Sequence, residues 1–400
     1  MDAHSSSPAD AANPGPRHPD PSPRTPLPLQ HLNVLELASV LAGPSVGSFL
    51  AELGAHVTKV ENRAQGGDVT RSWKTASELP DAAQSAYYAS VNWNKTTFWA
   101  DFQNPQDLKA VVERAAASDI VLASFRAGDD RRYGLDPDTL LSKHPALIYG
   151  RISGFGPHSR RPAYDLVLQA ETGWMAMNGL PDHPGVKLPV ALVDVLAAHQ
   201  LKQAVLLALL ERERSGSGGL VEVSLYDAAI SGLANQASNY LMTHAIPGRL
   251  GSLHPNIAPY GEQFMCRDDV SLVLAVGSDA QFRALCTVLD QPETAHLPDF
   301  ALNQNRVKNR GKLSELLQPL FELKAAGAWL SLLEQAGVPA GQVLNLAQVF
   351  DQAEAKAMVL ADPAATENGG LRPRQVAFYV HPSSAKGPYK GRKEIRTSET

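Results

Sequence analysis

The run Ile120-Val-Leu-Ala123 constrains the fold more than any other stretch of the chain. It is short, apolar and without alternation, so a strand over Asp119–Ala123 must be covered on both faces. Strands of that kind sit in parallel sheets, whose connections cross over through helices. The flanking sequence supplies such crossovers. Asn33–Leu37 reads as a short buried strand. Ala42-Gly-Pro44 opens a helix, with proline in the first turn where its missing N–H costs least. Val46, Phe49, Leu50 and Leu53 follow at helical spacing, Gly54 ends the helix, and His56–Val60 is the next strand. The pattern continues with a strand over Thr97–Phe102, a helix over Pro105–Ala117 and a short helix over Asp136–Lys143. Strands follow over Ala146–Tyr149 and Arg151–Ser153. These are βαβ units, and together they predict a doubly wound α/β domain.

The rest of the chain divides around that unit. Leu188–Glu213 predicts a long helix, apolar to Leu210, and Val221–Leu225 alternates as a half-buried strand. Asp227 is read as the cap of a helix reaching Thr243. A Pro/Gly-rich loop, His254–Gly261, opens a different pattern. A strand over Val270–Ala275, a helix over Asp279–Leu289 capped by Asp279, and helices near 311–324 and 326–336 predict a smaller α/β unit. Gly337-Val-Pro-Ala-Gly341 reads as a turn leading back to the first domain. The expected organisation is a disordered Pro-rich tail over 1–29 and a Rossmann-like large domain over 30–225. A linker helix and small domain span 226–332, the return to the large domain spans 333–385, and a basic tail covers 386–400.

Composition excludes several classes. The chain has 400 residues, 44% hydrophobic and 19% charged, with net charge −5. That is the balance of a globular enzyme with mixed surface charge, and no basic stripe points to nucleic acid. No apolar run is read as a membrane span, and the first 29 residues lack the apolar core of a signal peptide. Asp2, Asp10 and Asp20 also argue against an organellar presequence. Cys266 and Cys286 are read as reduced core thiols of a cytoplasmic protein. No metal-ligand spacing is present, and no H-E-x-x-H, G-x-S-x-G or P-loop motif occurs.

What remains is a set of polar and glycine-rich segments. Ala42 and Gly43 lie at the carboxyl end of the first strand, where doubly wound sheets bind ligands and a helix N-terminus can hold a phosphate. Gly66-Gly-Asp-Val-Thr-Arg71 offers Arg71 to an anion, and Asn92-Trp-Asn-Lys95 places a cation before a strand. The plainer readings are a simple strand–helix turn and two solvated loops. Ile152-Ser-Gly-Phe-Gly-Pro157 lets backbone approach a ligand closely, and Asp165 follows it. By itself that acid would most simply cap a helix.

Taken in order, these segments resemble the class III coenzyme A transferases, the CaiB/BaiF type that includes formyl-CoA and carnitine CoA-transferases. The matching stretches begin with Val34–Leu37 and Leu41–Pro44, Glu52–Glu61, Gly67–Arg71 and Asn92–Lys95. They continue with Arg132–Leu135, Ile152–Gly156, Ala163–Asp165, His254–Tyr260 and Gly337–Gly341. The resemblance implies a Rossmann-like large domain whose parallel sheet is formed by both chain ends. It also implies a smaller inserted α/β domain and two interlocked subunits. It makes Asp165 the nucleophile, with Gly154 and Gly156 steadying an oxyanion. Arg71, Lys95, Arg132 and Tyr133 would contact CoA, which acts as substrate rather than as a bound cofactor. Ser39, Asn62, Trp93 and Gln103 stand where the family often has basic residues, and Arg63 can replace the cation missing at position 62. The C-terminal Lys386–Arg396 lacks the family's usual closing segment. The implied reaction moves CoA from an acyl-CoA to a carboxylic acid. The His254–Tyr260 loop points to succinyl-CoA or another dicarboxylyl-CoA. The alternatives are an α-methylacyl-CoA racemase, disfavoured because Tyr164 stands where racemases carry His, and a non-catalytic CoA-binding paralogue.

Overall fold

The computed structural model describes residues 27–361 and 370–378. The predicted basic tail over 386–400, and all but the last three residues of the tail over 1–29, lie outside the described residues. The large unit runs β1 (Asn33–Leu37), α1 (Ala42–Glu52), β2 (His56–Asn62), α2 (Ala86–Ser90), β3 (Thr96–Ala100) and α3 (Pro105–Ala116). It continues through β4 (Ile120–Ala123), α4 (Asp129–Arg132), α5 (Pro137–Lys143), β5 (Ile148–Ser153), α6 (Asp165–Glu171) and α7 (Trp174–Met177). It closes with α8 (Leu192–Ser215), β6 (Gly219–Ser224), α9 (Leu225–Gly232) and α10 (Ala234–Thr243).

Its sheet has the order β3-β2-β1-β4-β5-β6, and every neighbouring pair is parallel. All four residues of β4 are buried, as the unbroken apolar run requires. Successive residues of each central strand serve opposite layers. Val34, Ile120, Leu122 and Ile148 pack with α1 and α8. Leu35, Val121, Ala123 and Tyr149 pack with α3 and α5. α8 supplies Val193, Ala197, Ala198, Leu201 and Val205, a buried stripe at helical spacing. Fully burying Val193, Leu201 or Val205 contributes about 1.5–3 kcal/mol each, and each alanine methyl less.

α8 bears on one expectation from composition. By length and apolar content alone this helix could cross a membrane. In the fold its apolar stripe is spent on the sheet and on α1, α6 and α9. Two caps also differ from the sequence reading. Ser224 caps α9, its hydroxyl accepting from the Asp227 N–H and donating to the Asp227 carboxylate. Ser278 caps α11 (Asp279–Val288). In each case a serine beats the aspartate because it occupies the extended cap position, while the acid lies inside the helix.

The smaller unit is an antiparallel sheet of β7 (Tyr260–Met265), β8 (Ser271–Ala275) and β9 (Ala340–Gln342) in that order. Helices α11, α12 (Asn303–Lys308), α13 (Arg310–Phe321) and α14 (Ala326–Gln335) accompany it. Its core holds Phe264 stacked on Phe321, Trp329, and both cysteines, which are free and buried. Gly337–Gly341 therefore runs into the third strand of the small sheet rather than straight back to the large domain.

The chain does return. The Glu52 carboxylate on α1 pairs with Arg372 and accepts the N–H groups of Gln375 and Val376. Trp93 donates its indole N–H to the Ala361 carbonyl, and Phe378 lies against Phe49. No described residue of this segment joins the six-stranded sheet, whose strands all come from residues 33–224. Among the described residues, the expectation that both chain ends supply strands is therefore not met. The late segment docks on α1, and the strands among its described residues, β10 (Val359–Leu360) and β11 (Arg372–Pro373), pair with each other.

Candidate active site

The strand order reverses direction between β1 and β4, and a cleft of about 280 Å³ opens over their carboxyl ends. Ligands of doubly wound sheets bind at such a switch point. One wall is the loop Ser39–Gly43. Gly43 is required there, because a Cβ would lie 2.3 Å from that of Ala38. Val40 has φ of 71°, a left-handed conformation that a β-branched residue rarely takes. Its N–H donates to Asp68 at 3.1 Å, so the strained turn is tied to the segment after β2.

Asp68 belongs to a buried charge cluster beneath that wall. Lys59 reaches Asp68 at 3.0 Å and Glu36 at 3.0 Å, and Lys95 reaches the other Glu36 oxygen at 2.7 Å. Two acids and two lysines balance. Glu36 sits under α1 at Gly47, where a Cβ would fall 1.9 Å from its carboxylate. Burial draws the Lys95 ammonium down to about 8, although Glu36 works the other way. Burial also opposes the charge on Lys59, but Glu36 and Asp68 outweigh it and raise that group.

This cluster changes the reading of two predicted CoA contacts. Lys95 is 2% exposed and donates to Glu36, to the Pro44 and Val91 carbonyls and to Asn92. An ammonium has three protons, so none is left for a phosphate. Arg71 grips both oxygens of Glu61 at 2.6 Å and lies over the Tyr88 ring. Burial resists ionisation of Glu61. The hydrogen bonds from Arg71, Tyr88 and the Asp68 N–H outweigh it and bring the carboxyl down to about 2. Both cations hold the loops behind the wall and are absent from the cleft lining.

The opposite wall comes from the segment after β5. Gly154, Gly156, Ala163 and Tyr164 line it. Gly154 packs so closely that a Cβ would meet that of Ala163 at 2.1 Å, and Gly156 has φ of 96°. Tyr164 occupies the cap position of α6, so Asp165 is the first residue inside that helix and does not cap it. Instead it caps α8, which has no capping side chain of its own. One Asp165 oxygen accepts the Val193 N–H at 2.7 Å, and the other accepts from Gln169 at 2.6 Å. Each oxygen thus accepts one hydrogen bond and keeps a second lone pair.

The next residue of α8 is one that sequence reasoning missed. Asp194 lines the cleft and is only 7% exposed. Burial first, then the charge of Asp165, push its carboxyl up to about 7. The signal was present: it is a single acid in an otherwise apolar run. Arg126, Arg160 and Arg161 were missed as well, and all three line the cleft. Arg161 pairs with Glu171 and stacks on Phe155. Among the described residues no ion pair engages Arg126 or Arg160.

The other predicted residues are placed as follows. Ala42 and Gly43 line the cleft beside the start of α1. Tyr133 packs edge-on against Phe102 and contacts Phe125, a lining residue, from behind. Arg132 is exposed over the Tyr133 ring. Arg63 is exposed and donates to the Trp99 carbonyl at 3.0 Å. The His254–Tyr260 loop lies outside the cleft lining, held by Arg306 and Arg310 of the small unit. No three His, Cys, Asp or Glu side chains gather as a metal-ligand set among the described residues.

Fold and site together define a doubly wound α/β protein with a carboxyl-bearing cleft over its switch point. The sequence matches CoA-transferase family III over residues 29–392, and the chain belongs to that family. It is 35% identical over 352 residues to succinate–glutarate CoA-transferase of Agrobacterium fabrum, covering 86% of this chain and 87% of that one. Identity to human succinyl-CoA:glutarate CoA-transferase is 32%, over 86% of this chain and 75% of that one. Among solved structures, a CaiB/BaiF family protein from Brucella suis superposes with a TM-score of 0.75 at 36% identity, covering 90% of this chain and 94% of that one. The protein is a CoA-transferase.

Proposed function

We propose that this enzyme moves CoA between a dicarboxylyl-CoA, such as succinyl-CoA, and a carboxylic acid, with Asp165 as nucleophile. The observation that carries the substrate class is the similarity to relatives named for succinate and glutarate, together with a cleft bearing Arg126 and Arg160 without ion pairs among the described residues. A guanidinium binds carboxylate or phosphate through paired N–H donors. The chemistry follows from the carboxylate. An Asp165 oxygen bonds to the thioester carbon, the C–S bond breaks, and CoA leaves as thiolate from a mixed anhydride. The thiolate then attacks the aspartyl carbonyl, the donor acid leaves as carboxylate, and an aspartyl-CoA thioester remains. The acceptor acid reverses the sequence. Gly154 and Gly156 leave room for backbone to approach the reacting carbonyl, and closure against water protects both intermediates. CoA enters as substrate, with Ala42 and Gly43 at its approach.

The same reading pairs two copies of the chain. Leu206, Leu207 and Leu210 on α8, Ile230 on α9 and Leu241 and Met242 on α10 are exposed apolar side chains that a second copy would cover. Light scattering at micromolar concentration should return twice the chain mass. In this reading the enzyme is cytoplasmic, with Cys266 and Cys286 as reduced core thiols.

The test is a panel of acyl-CoA donors against carboxylic acids, read by mass spectrometry of the CoA products. Transfer from succinyl-CoA to a dicarboxylic acid, and a hydroxylamine-trapped product at Asp165, are the expected results. Full turnover by D165A refutes the nucleophile, and transfer confined to monocarboxylates refutes the substrate class.

A further inference from the structure

Asp194 lies in the first turn of α8, one residue beyond the amide that holds Asp165. The two carboxyl groups therefore converge on one helix N-terminus from different elements. Their surroundings differ. Asp165 is held by two donors, whereas no donor among the described residues reaches Asp194, and 93% of its surface is covered. What Asp194 does face is the cleft, between Leu225 and the Ala163–Tyr164 wall. A buried carboxyl with no partner, turned toward a ligand cleft, is poised to interact with whatever fills it.

We propose that Asp194 is a second catalytic residue of this site, acting in its neutral form as a hydrogen-bond donor to the acyl oxygen under attack. The proposal rests on the reading of Asp165 as nucleophile. As the Asp165 oxygen bonds to the acyl carbon, the carbonyl electron pair moves onto oxygen, and the Asp194 O–H steadies that charge. When the adduct collapses the C=O re-forms, the C–S bond breaks and CoA leaves as thiolate. The proton stays on Asp194, so the exchange needs no other acid. The same donor serves the aspartyl-CoA step, where a carboxylate oxygen departs.

The groups that set its protonation are few. Of the elements packed on α8, α6 brings Asp165 and Glu171, α1 brings Glu52, β5 brings Tyr149 and Arg151, β6 brings Glu222 and α9 brings Tyr226 and Asp227. Asp165 is the one whose charge shifts Asp194, and Tyr87 of α2 feels both acids. The charged residues that share the cleft lining with it are Asp130, Arg126, Arg151, Arg160 and Arg161.

Two variants test this. D194N keeps a donor of the same size but cannot ionise, and D194L removes the donor. Wild-type kcat should fall about tenfold per pH unit once Asp194 ionises, and D194N, at the lower activity its weaker amide donor leaves, should flatten that limb. D194L should lose roughly 100-fold or more in kcat, the usual cost of removing one oxyanion donor, with little change in KM. An unchanged alkaline limb in D194N, or wild-type kcat in D194L, overturns the proposal. If D194L fails to fold, the D194N profile decides alone. Failure of the underlying reading shows separately, as a wild-type enzyme with no trapped adduct at Asp165. A merely structural aspartate would change thermal stability without moving the alkaline limb.

Discussion

Replacing Lys95 by methionine separates two roles for a residue that sequence reading assigned to CoA. Methionine keeps the apolar stem and removes the ammonium. The loss leaves one Glu36 oxygen, the Pro44 and Val91 carbonyls and the Asn92 amide oxygen without their donor. It also leaves the buried cluster with two acids and one lysine. Breaking a buried pair from one side costs about 3–5 kcal/mol. For a domain of this size, each kcal/mol lowers Tm by about 2–4 °C, so K95M should melt on the order of 10 °C below wild type. Thermal unfolding followed by circular dichroism reads this directly. Adding Glu36→Gln should recover part of the loss, because it removes the uncompensated charge, and the coupling between the two changes can be measured as a double-mutant cycle. A K95M protein with wild-type Tm and a tenfold higher KM for acyl-CoA would refute the reasoning and restore Lys95 as a ligand.

Three further outcomes follow from the same cluster and cleft. Glu61 is depressed from 4.5 to about 2 in the folded chain, so its ion pairs stabilise the protein above pH 4.5 and that contribution disappears as pH falls toward 2. The stability gap between wild type and E61Q in urea unfolding should narrow by about 3 kcal/mol over this window, and a constant gap would refute it. Asp194 has the opposite sign. Its folded value near 7 exceeds 3.8, so the folded state keeps a proton that the unfolded state releases, and stability falls as pH rises from 3.8 to 7. D194N should therefore gain on wild type by up to about 4 kcal/mol between pH 4 and pH 8, less about 0.3–1 kcal/mol that the α8 N-terminus returns to the anion. Equal Tm differences at the two pH values would contradict this. Val40→Gly should remove about 1–3 kcal/mol of backbone strain while adding about 0.5–1 kcal/mol of chain entropy cost. Its Tm should match or exceed wild type while kcat falls as the wall relaxes; a clear loss of stability would show that the left-handed turn carries no strain.

The large sheet was legible because its signals are local. The unbroken Ile120–Ala123 run and the helix over Ala42–Glu52 each follow from pattern and turn chemistry within a dozen residues. The third strand of the small sheet was not legible, because Ala340–Gln342 is three residues long and forms only by pairing with Ser271–Ala275. Asp165 and the two glycines were singled out through ordered motifs; the fold puts Gly154 and Gly156 in the cleft wall and Asp165 just behind it, against the start of α8. Lys95 and Arg71 were misread for a physical reason: a cation before a strand looks alike in sequence whether it meets solvent, a ligand or a carboxylate such as Glu36. That choice is made by β1 and β2 lying side by side, which no local window contains. Asp194 was hidden in the opposite way, since its apolar neighbours drew the eye to helix packing.

The clasp on Glu52 has a consequence for how the protein is made. Glu52 and Arg372 are 320 positions apart, yet the side chains of both are almost wholly covered when paired. The six strands of the large sheet, all upstream of position 225, can assemble while the ribosome is still adding the small unit. Through that interval α1 carries a bare carboxylate and Lys202 lacks its Gln375 partner. The nascent chain thus presents an unfinished polar seam until its final segment emerges. A nonsense codon just after position 361 should yield a protein that builds its sheet but cannot seal it, and quality-control proteases would meet that seam first.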